Sequence, residues 1–378
     1  MAAARDGRPA GGFRRAGGWA RRREGAELSA AGAEPRPPAL AGAGVGVGVG
    51  VGVGVGVGVG VASPRVVVAG EALVDLIPLP GGALRPHPGG GPFNAARAMS
   101  RLGLPAAFLG RLSTDAFGRL LADRLAADGV DLSLVSGAAE PTTLAVAEVD
   151  ASGSATYRFY TEGTSAPGLT PAQLPRTLRR SVDALHLGTL GLALEPMATT
   201  LAGLAVREAG RHLLMLDLNV RPGLIRDPRA YRARLEDLVA LGAVVQGSDA
   251  DLAWLHPRDT AEAAAGRLLA RGARLVVVTL GARGAMAVDG RGEVRVPAPP
   301  VEVVDTIGAG DAFGAALLRS LLGSSAGVRR PWRAGQLGCG EAELRSALTF
   351  AVAVASLTCA RAGADPPRLA ELSLPPPA

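Results

Sequence analysis

Residues 304–313, Val-Asp-Thr-Ile-Gly-Ala-Gly-Asp-Ala-Phe, carry the strongest structural signal in this sequence. Small residues precede Asp311 and a run of apolar residues follows it, which predicts a tight loop leading into the N-terminus of a buried helix. Such a terminus presents unpaired N–H groups and the positive end of the helix dipole, so it favours a bound anion. A carboxylate beside an anion site suits phosphoryl transfer, which needs a base for the attacking hydroxyl and a cradle for charge. The alternative is that Asp311 only caps its helix.

The basic residues exclude two kinds of phosphate chemistry. All 40 are arginine, and the sequence contains no lysine. A P-loop requires the lysine of GxxxxGK[ST], and a protein kinase requires a lysine on one strand. Any phosphate binding here must therefore rely on arginine, backbone amides and metal ions.

The formal net charge of +6 is spread unevenly along the chain. Residues 1–64 contain 8 arginines and 4 acidic residues, while the remainder is nearly neutral with 32 basic and 30 acidic residues. No run of arginines with interleaved aromatic residues indicates a nucleic-acid partner. With only Cys339 and Cys359, a disulfide framework is excluded, and a cytoplasmic protein is expected.

The N-terminal 64 residues differ in composition from the rest. They are rich in alanine, glycine, arginine and proline, and Gly44–Val61 is nine Gly-Val repeats. Half of this repeat is glycine, which is poor in helix propensity and apolar area, so a membrane anchor is not expected. We predict a disordered extension over residues 1–64, either a flexible tract or the product of a misassigned start codon, and a folded domain over residues 65–378.

Short apolar strands alternate with helices in the second half of the chain. This rhythm predicts a mostly parallel sheet covered by helices on both faces. The residues from 144 to 161 alternate around Ser152-Gly153 and predict a hairpin outside that sheet. The predicted core strands are Val66–Ala69, Ala184–Leu187, Leu213–Leu216, Ala243–Val245 and Leu275–Thr279.

A second glycine-rich segment runs from Gly89 to Gly103. Three glycines and Pro92 precede Phe93, Asn94 and an apolar helical pattern that ends at Gly103. A dinucleotide fingerprint would have a third spaced glycine where Asn94 stands. The residues alone leave two interpretations, a locally capped loop–helix junction or a backbone and amide site for a polyol.

Polar groups follow one of the predicted core strands at Asp217-Leu218-Asn219-Val220-Arg221. Asp217 and Arg221 could form a salt bridge within a turn. Alternatively, Asn219 and Arg221 contact a phosphate at the carboxyl edge of the sheet, where ligands of open α/β sheets bind.

Both glycine-rich segments resemble the signatures of the ribokinase-like carbohydrate kinases, the phosphofructokinase B family. The resemblance covers about residues 65–372. Three segments together, Gly70–Pro78, Gly91–Asn94 and Asp305–Phe313, look most similar to fructokinase-type members. It implies a doubly wound α/β fold with a small β-lid, whose strands lie within about residues 72–90 and 140–163. It also implies that Asp311 is the catalytic base and that Gly308, Ala309 and Gly310 form the anion hole. The sugar ligands that it implies are Asp75, Gly90, Gly91 and Asn94. Arg158 of the lid hairpin is a further candidate sugar ligand.

The resemblance also implies a nucleotide site. Asp251 matches a glutamate of relatives and is expected to reach a metal only through water, and Val352 replaces a common asparagine. The nucleotide-binding residues implied are Asn219, Arg221, Ser248, Thr279, Gly281 and Gly284. The helix dipole is expected to keep Asp311 ionised and weakly basic.

The activity implied is ATP-dependent phosphorylation of a sugar hydroxyl, fructokinase-like, with Mg²⁺ and a monovalent cation as candidate cofactors. Alternative acceptors are 2-dehydro-3-deoxygluconate, ribose and a nucleoside. An alternative of another class is a non-catalytic, sugar-binding regulatory pseudokinase. The expected partners are the sugar and ATP, with a homodimer as a candidate assembly and neither nucleic acid nor membrane involved.

Overall fold

The structure, a computed structural model, describes residues 63–79, 81–149, 155–323 and 339–372. The predicted extension lies outside these residues except for its last two positions. The Gly-Val repeat lies wholly outside them.

The described residues form thirteen strands and eight α-helices. The strands are β1 (Val66–Ala69), β2 (Leu73–Pro78), β3 (Leu84–Gly89), β4 (Ala106–Ser113), β5 (Asp131–Ala138), β6 (Leu144–Val149), β7 (Ala155–Tyr160), β8 (Ala184–Gly188), β9 (Leu213–Asp217), β10 (Val244–Ser248), β11 (Leu275–Thr279), β12 (Ala285–Asp289) and β13 (Gly292–Val296). The helices are α1 (Gly91–Arg101), α2 (Ala116–Ala127), α3 (Met197–Glu208), α4 (Pro228–Ala240), α5 (Asp249–Leu255), α6 (Ala261–Arg271), α7 (Ala309–Leu322) and α8 (Glu341–Cys359).

Nine strands form the large sheet in the order β13-β12-β11-β10-β9-β8-β1-β4-β5. The strands from β11 to β5 are paired in parallel, while β12 and β13 are antiparallel at one edge. The chain leaves β1 toward β4 and β5, and it later returns to the other side of β1 at β8. The gap between the carboxyl ends of β1 and β8 is therefore the topological switch point of the sheet.

Both faces of the large sheet are buried. In β1, Val66 and Val68 belong to one hydrophobic core, and Val67 and Ala69 belong to a second core on the opposite face. Because successive strand residues point to opposite faces, a run of valines without polar alternation fits a strand covered on both sides. The predicted doubly wound α/β fold is confirmed.

The second sheet has four strands in the order β3-β2-β6-β7. Strands β6 and β7 form the predicted antiparallel hairpin, and β6 also pairs in parallel with β2. Because β2 and β3 lead directly from β1 to α1, this small sheet stands at the carboxyl edge of the large one. It supplies one wall of the cavity described below.

Strands β4 and β5 at one side of the large sheet, and the antiparallel strands β12 and β13 at the other, were not predicted. Strands β4 and β5 contain alanine, glycine, serine and arginine, which weaken the apolar pattern, yet both pair in parallel within the large sheet.

Helix α8 is long and apolar enough to cross a membrane by length and composition. It packs against α7, and Leu348, Phe350 and Ala351 lie in the core, as in a core helix of a globular domain.

Candidate active site

A cavity of about 480 Å³ opens at the carboxyl ends of β1, β8, β9 and β10. The small sheet contributes Asp75, Tyr157 and Phe159 to its lining, and the N-terminus of α7 contributes Gly310 and Asp311. The cavity thus lies at the switch point and brings together residues from both glycine-rich segments.

Asp311 lies in the first turn of α7 and is buried. Its Oδ2 accepts a hydrogen bond of 2.9 Å from Nδ2 of Asn94, which belongs to α1. Burial raises the pKa of Asp311 to about 6, against the lowering effects of the Asn94 hydrogen bond and the charge of Arg221. The carboxylate is therefore more basic than the helix dipole alone suggested, yet still ionised at neutral pH.

The loop before α7 forms part of the expected anion cradle. Gly308 has φ 76°, a left-handed conformation that glycine adopts without strain. Among the described residues, no acceptor bonds to the N–H groups of Gly308 and Gly310. The N–H of Ala309 is different, because it already donates to the carbonyl of Thr306 over 3.3 Å. The geometry favours Gly308 and Gly310 over Ala309 as donors to an anion.

Three of the predicted sugar ligands line the same cavity beside Asn94. Burial and the charge of Asp311 raise the pKa of Asp75 to about 7. Gly90 has φ 107°, and a Cβ there would lie 2.9 Å from the carbonyl oxygen of Glu71. At Gly91 a Cβ would lie 2.2 Å from Oγ1 of Thr189. Neither glycine leaves room for a side chain.

Glu71 supports this wall and was not predicted as a site residue. It is fully buried, and its carboxylate accepts bonds from the N–H of Gly91 at 3.2 Å and from the N–H of Gly191 at 2.9 Å. Burial raises its pKa to about 8. The position of Glu71, an acidic residue directly after a buried strand, is the feature of the sequence that could have identified it.

Arg158 does not reach the cavity. Its side chain is 63% exposed and its guanidinium pairs with Glu148 at 2.7 Å, while the neighbouring Tyr157 and Phe159 line the cavity. Since strand side chains alternate between faces, residue 158 points away from its two neighbours. The position of Arg158 argues against the predicted sugar contact.

Asn219 and Arg221 both line the cavity after β9. Asn219 has φ 33°, which is unusual for a residue other than glycine. Asp217 and Arg221 form no ion pair in the described part of the chain, so the alternative of a salt bridge within the turn is wrong. Burial raises the pKa of Asp217 well above its ordinary value.

Ser248 and Asp251 form a capping box at the start of α5. Oδ2 of Asp251 accepts from the N–H and the hydroxyl of Ser248, each at 2.7 Å. Its Oδ1 accepts from the N–H of Val220, also at 2.7 Å. Both oxygens are engaged within the protein, so Asp251 fixes the loop after β9 and fits a metal role only through water.

A second, mainly apolar cavity of about 600 Å³ adjoins the first. It is lined by Gly281, Gly284 and Val352, three positions singled out from the sequence. Thr279, Thr306 and Gly310 line both cavities, so the two spaces meet at the N-terminus of α7. A ligand that filled both would pass the N-terminus of α7.

Two further buried polar residues of the first cavity escaped the sequence analysis. Nε2 of Gln246 donates to the carbonyl of Gly310 over 2.9 Å, which fixes the first turn of α7. Thr189, the first residue after β8, has φ 54°. Nothing in the local sequence signalled either role, because both depend on which elements the fold brings together.

The chain matches the family model described as "pfkB family carbohydrate kinase" over residues 63–370. It is 40% identical over 260 residues to a fructokinase of Rhizobium leguminosarum bv. trifolii, covering 68% of this chain and 79% of the relative. A Vibrio cholerae O395 fructokinase double mutant, solved with fructose, ADP and potassium ion, aligns with a TM-score of 0.68 and 27% identity over 80% of this chain and 94% of that one. An aminoimidazole riboside kinase from Salmonella enterica aligns with a TM-score of 0.67 and 26% identity over 79% and 94%.

Proposed function

Because the chain belongs to the pfkB family of carbohydrate kinases, we propose that it transfers the γ-phosphoryl group of ATP to a hydroxyl of fructose. An ATP-dependent sugar kinase is what the family and the fructokinase relatives establish. Fructose as the acceptor is the proposed step beyond it. The observation that carries the proposal is Asp311, a buried carboxylate that lines the first cavity and directly follows Gly310, which lines both cavities.

In the proposed reaction, the sugar occupies the first cavity and the nucleotide extends from the second cavity across the N-terminus of α7. Asp311 accepts the proton of the attacking hydroxyl as the O–P bond forms and ADP leaves. The free N–H groups of Gly308 and Gly310, the helix dipole and Arg221 stabilise negative charge on the transferring group. A pKa of about 6 keeps Asp311 ionised at neutral pH, so it is ready to act as the base.

Asn94 supplies independent support for a hydroxyl ligand. While its amide nitrogen donates to Asp311, its buried Oδ1 has no hydrogen-bond partner among the described residues. A buried polar atom without a partner is costly, and such atoms in native proteins point to a missing ligand or water. A sugar hydroxyl that donated to Oδ1 of Asn94 would satisfy it beside the base.

The divalent cation is proposed to be Mg²⁺, held by ATP oxygens and by water. Among the described residues, no group of three or more His, Cys, Asp or Glu side chains is arranged to hold a metal ion. Asp251 fits an outer role, since both of its oxygens already accept hydrogen bonds. When bound, the cation would offset charge on the phosphates. A monovalent cation is a further candidate cofactor, and a cytoplasmic homodimer is the proposed setting.

The test is Asp311→Asn with fructose, ATP and coupled detection of ADP. We expect kcat to fall by at least about 10²-fold, the usual scale for a positioned base. Asp123→Asn, on the exposed face of α2, is the matched control and should leave kcat unchanged. Near-normal turnover by Asp311→Asn would remove this residue from the mechanism.

A panel of acceptors tests the sugar. Fructose, ribose, 2-dehydro-3-deoxygluconate and a nucleoside are compared by kcat/KM, the last because a riboside kinase shares the fold. A higher value for any acceptor other than fructose would overturn the assignment of fructose. Sugar binding without any release of ADP would instead indicate a regulatory, non-catalytic protein.

A further inference from the structure

Thr189 occupies the switch point of the large sheet. It directly follows β8, whose residues pair in parallel with β1 on one side and with β9 on the other. In open α/β sheets, ligands bind at the carboxyl ends of the strands where the strand order reverses. Thr189 lines the first cavity at this place and is only 7% exposed.

The backbone of Thr189 is strained. Its φ is 54°, and the one other residue besides glycine with positive φ in the described part of the chain is Asn219, with φ 33°. A β-branched residue in this region is an outlier, with a cost of order 1–3 kcal/mol. Such strain persists only where the surroundings enforce it, and it concentrates at functional sites.

The two strained residues touch each other. Nδ2 of Asn219 donates to Oγ1 of Thr189 at 3.4 Å, a long hydrogen bond. Oγ1 thus accepts from Asn219, and its own hydrogen remains available. No hydrogen bond in the described structure uses the Thr189 hydroxyl as a donor.

The hydroxyl also stands beside the base. A Cβ placed on Gly91 would lie 2.2 Å from Oγ1 of Thr189 and 3.3 Å from Oδ1 of Asp311, so both oxygens face the same point. Asp311, Asp75 and Asn94 line the same cavity as Thr189, and the carboxylates and the Oδ1 of Asn94 are acceptors when the carboxyls are ionised. A free donor among acceptors is what a sugar hydroxyl requires, because it both donates and accepts.

We propose that Thr189 orients the acceptor sugar by donating a hydrogen bond from Oγ1 to a sugar oxygen next to the hydroxyl that is phosphorylated. The inference rests on the proposed function, and it assigns to the site a residue beyond the glycine-rich segments.

A matched pair of variants, Thr189→Ala and Thr189→Ser, tests the donor. Both remove the β-branch and relieve a similar amount of strain, but only serine keeps the hydroxyl. We expect kcat/KM for fructose to be about 10-fold lower in Thr189→Ala than in Thr189→Ser, the scale of one hydrogen bond. The KM for ATP should be the same in both. Equal kcat/KM values for fructose in the two variants would overturn the proposal. So would a KM for ATP that differs between the two variants as much as kcat/KM for fructose does.

Deoxyfructoses, each lacking one hydroxyl, separate a direct contact from a structural effect. If Thr189 donates to one sugar oxygen, the alanine penalty should vanish for the single analogue without that oxygen and persist for the others. A penalty of the same size for every analogue would contradict a direct contact.

Calorimetric binding of fructose keeps this test separate from the proposed reaction. If the wild-type protein binds fructose but releases no ADP, the proposed function fails, and the affinities of the alanine and serine variants still decide the role of Thr189. Absence of fructose binding in the wild-type protein would overturn both proposals.

Discussion

Nδ2 of Asn94 and Oδ2 of Asp311 are joined by a hydrogen bond of 2.9 Å across 217 residues of sequence. The bond links the first turn of α1 to the first turn of α7. One amide thereby positions the proposed base and lowers its pKa against the effect of burial.

Asn94→Ala should move the pH dependence of the reaction. In the wild-type protein, kcat/KM should rise with pH through about 6, because Asp311 must be deprotonated to accept a proton. Loss of the Asn94 hydrogen bond removes an interaction that favours the carboxylate, so the pKa of Asp311 should increase and the acidic limb should move to higher pH. The position of the limb, measured from pH 5 to 9, is the readout. An unchanged limb with lower activity throughout would mean that Asn94 contributes sugar binding alone.

Gly310→Ala should separate activity from stability. A Cβ on Gly310 meets no atom within 4 Å, and the residue lies in α7, where alanine is favoured over glycine by about 1 kcal/mol. The Tm should therefore be maintained or raised. The same methyl group projects where the two cavities meet, so kcat should fall by about 10-fold or more. Gly203→Ala, on the exposed side of α3, is the control and should raise stability without a loss of activity. A fully active Gly310→Ala enzyme would place the phosphates elsewhere.

The apolar cavity predicts weak discrimination among nucleotide bases. Its lining has no charged or carboxamide side chain, and its polar side chains are hydroxyls and one thiol. We expect kcat/KM for ATP to exceed that for GTP by no more than about 10-fold, since a missing base contact forfeits roughly that factor. Val352→Asn, which adds a carboxamide to the lining, should change the ratio, whereas Val352→Ala should not. A wild-type preference for ATP above about 100-fold would show that backbone groups select the base.

The buried carboxyls predict a stability that decreases with pH. Burial raises the pKa of Glu71 from 4.5 to about 8 and, with the charge of Asp311, that of Asp75 from 3.8 to about 7. The folded state therefore binds more protons than the unfolded state between about pH 4.5 and pH 7–8. Over this window each group lowers the free energy of unfolding by up to about 1.4 kcal/mol per pH unit. Carboxyls with lowered pKa values, such as Asp115 and Glu262 at about 2, act only in more acidic solution. Burial lowers the pKa of His186 from 6.5 to about 4, so this residue opposes the decrease below about pH 6.5, and the decrease should be clearest between pH 6.5 and 8.

Urea unfolding from pH 5 to pH 8 measures this slope. Glu71→Gln is neutral at every pH and should reduce it, with stability close to that of the wild-type protein at pH 5. A slope that is the same in the wild-type protein and in Glu71→Gln would mean that Glu71 titrates near its ordinary value.

Local patterns predicted the most apolar parallel strands and the hairpin of the small sheet, but not every strand of the large sheet. Strand β11 was predicted with its observed bounds, Leu275–Thr279, because a continuous apolar run is what a strand buried on both faces requires. Strands β4 and β5 were missed, since their alanines and glycines become strand residues only through pairing with neighbours distant in sequence. In β4 and β5, pairing within the sheet outweighed the weak strand propensity of the individual residues.

Some residues of the candidate site could likewise be predicted from the sequence, and others could not. Gly90, Gly91, Asn94 and Asp311 lie in compact segments whose glycines already indicate close approach, and the fold brings them to one cavity. The exposed position of Arg158 could not be predicted, because the sequence alone does not fix which face of an edge strand points inward. Thr189 was missed because its role depends on a left-handed backbone that its residue type does not predict.

The position of β1 has a consequence for synthesis of the chain on the ribosome. This first strand of the large sheet lies in its interior, and its pairing with β8 cannot begin until residues 184–188 have emerged. Until then one edge of β1 is open to pairing with other chains, a recognised route to aggregation. Fragments that stop before β8 should therefore accumulate in inclusion bodies, and maturation of this kinase should depend on chaperones until its C-terminal half has been translated.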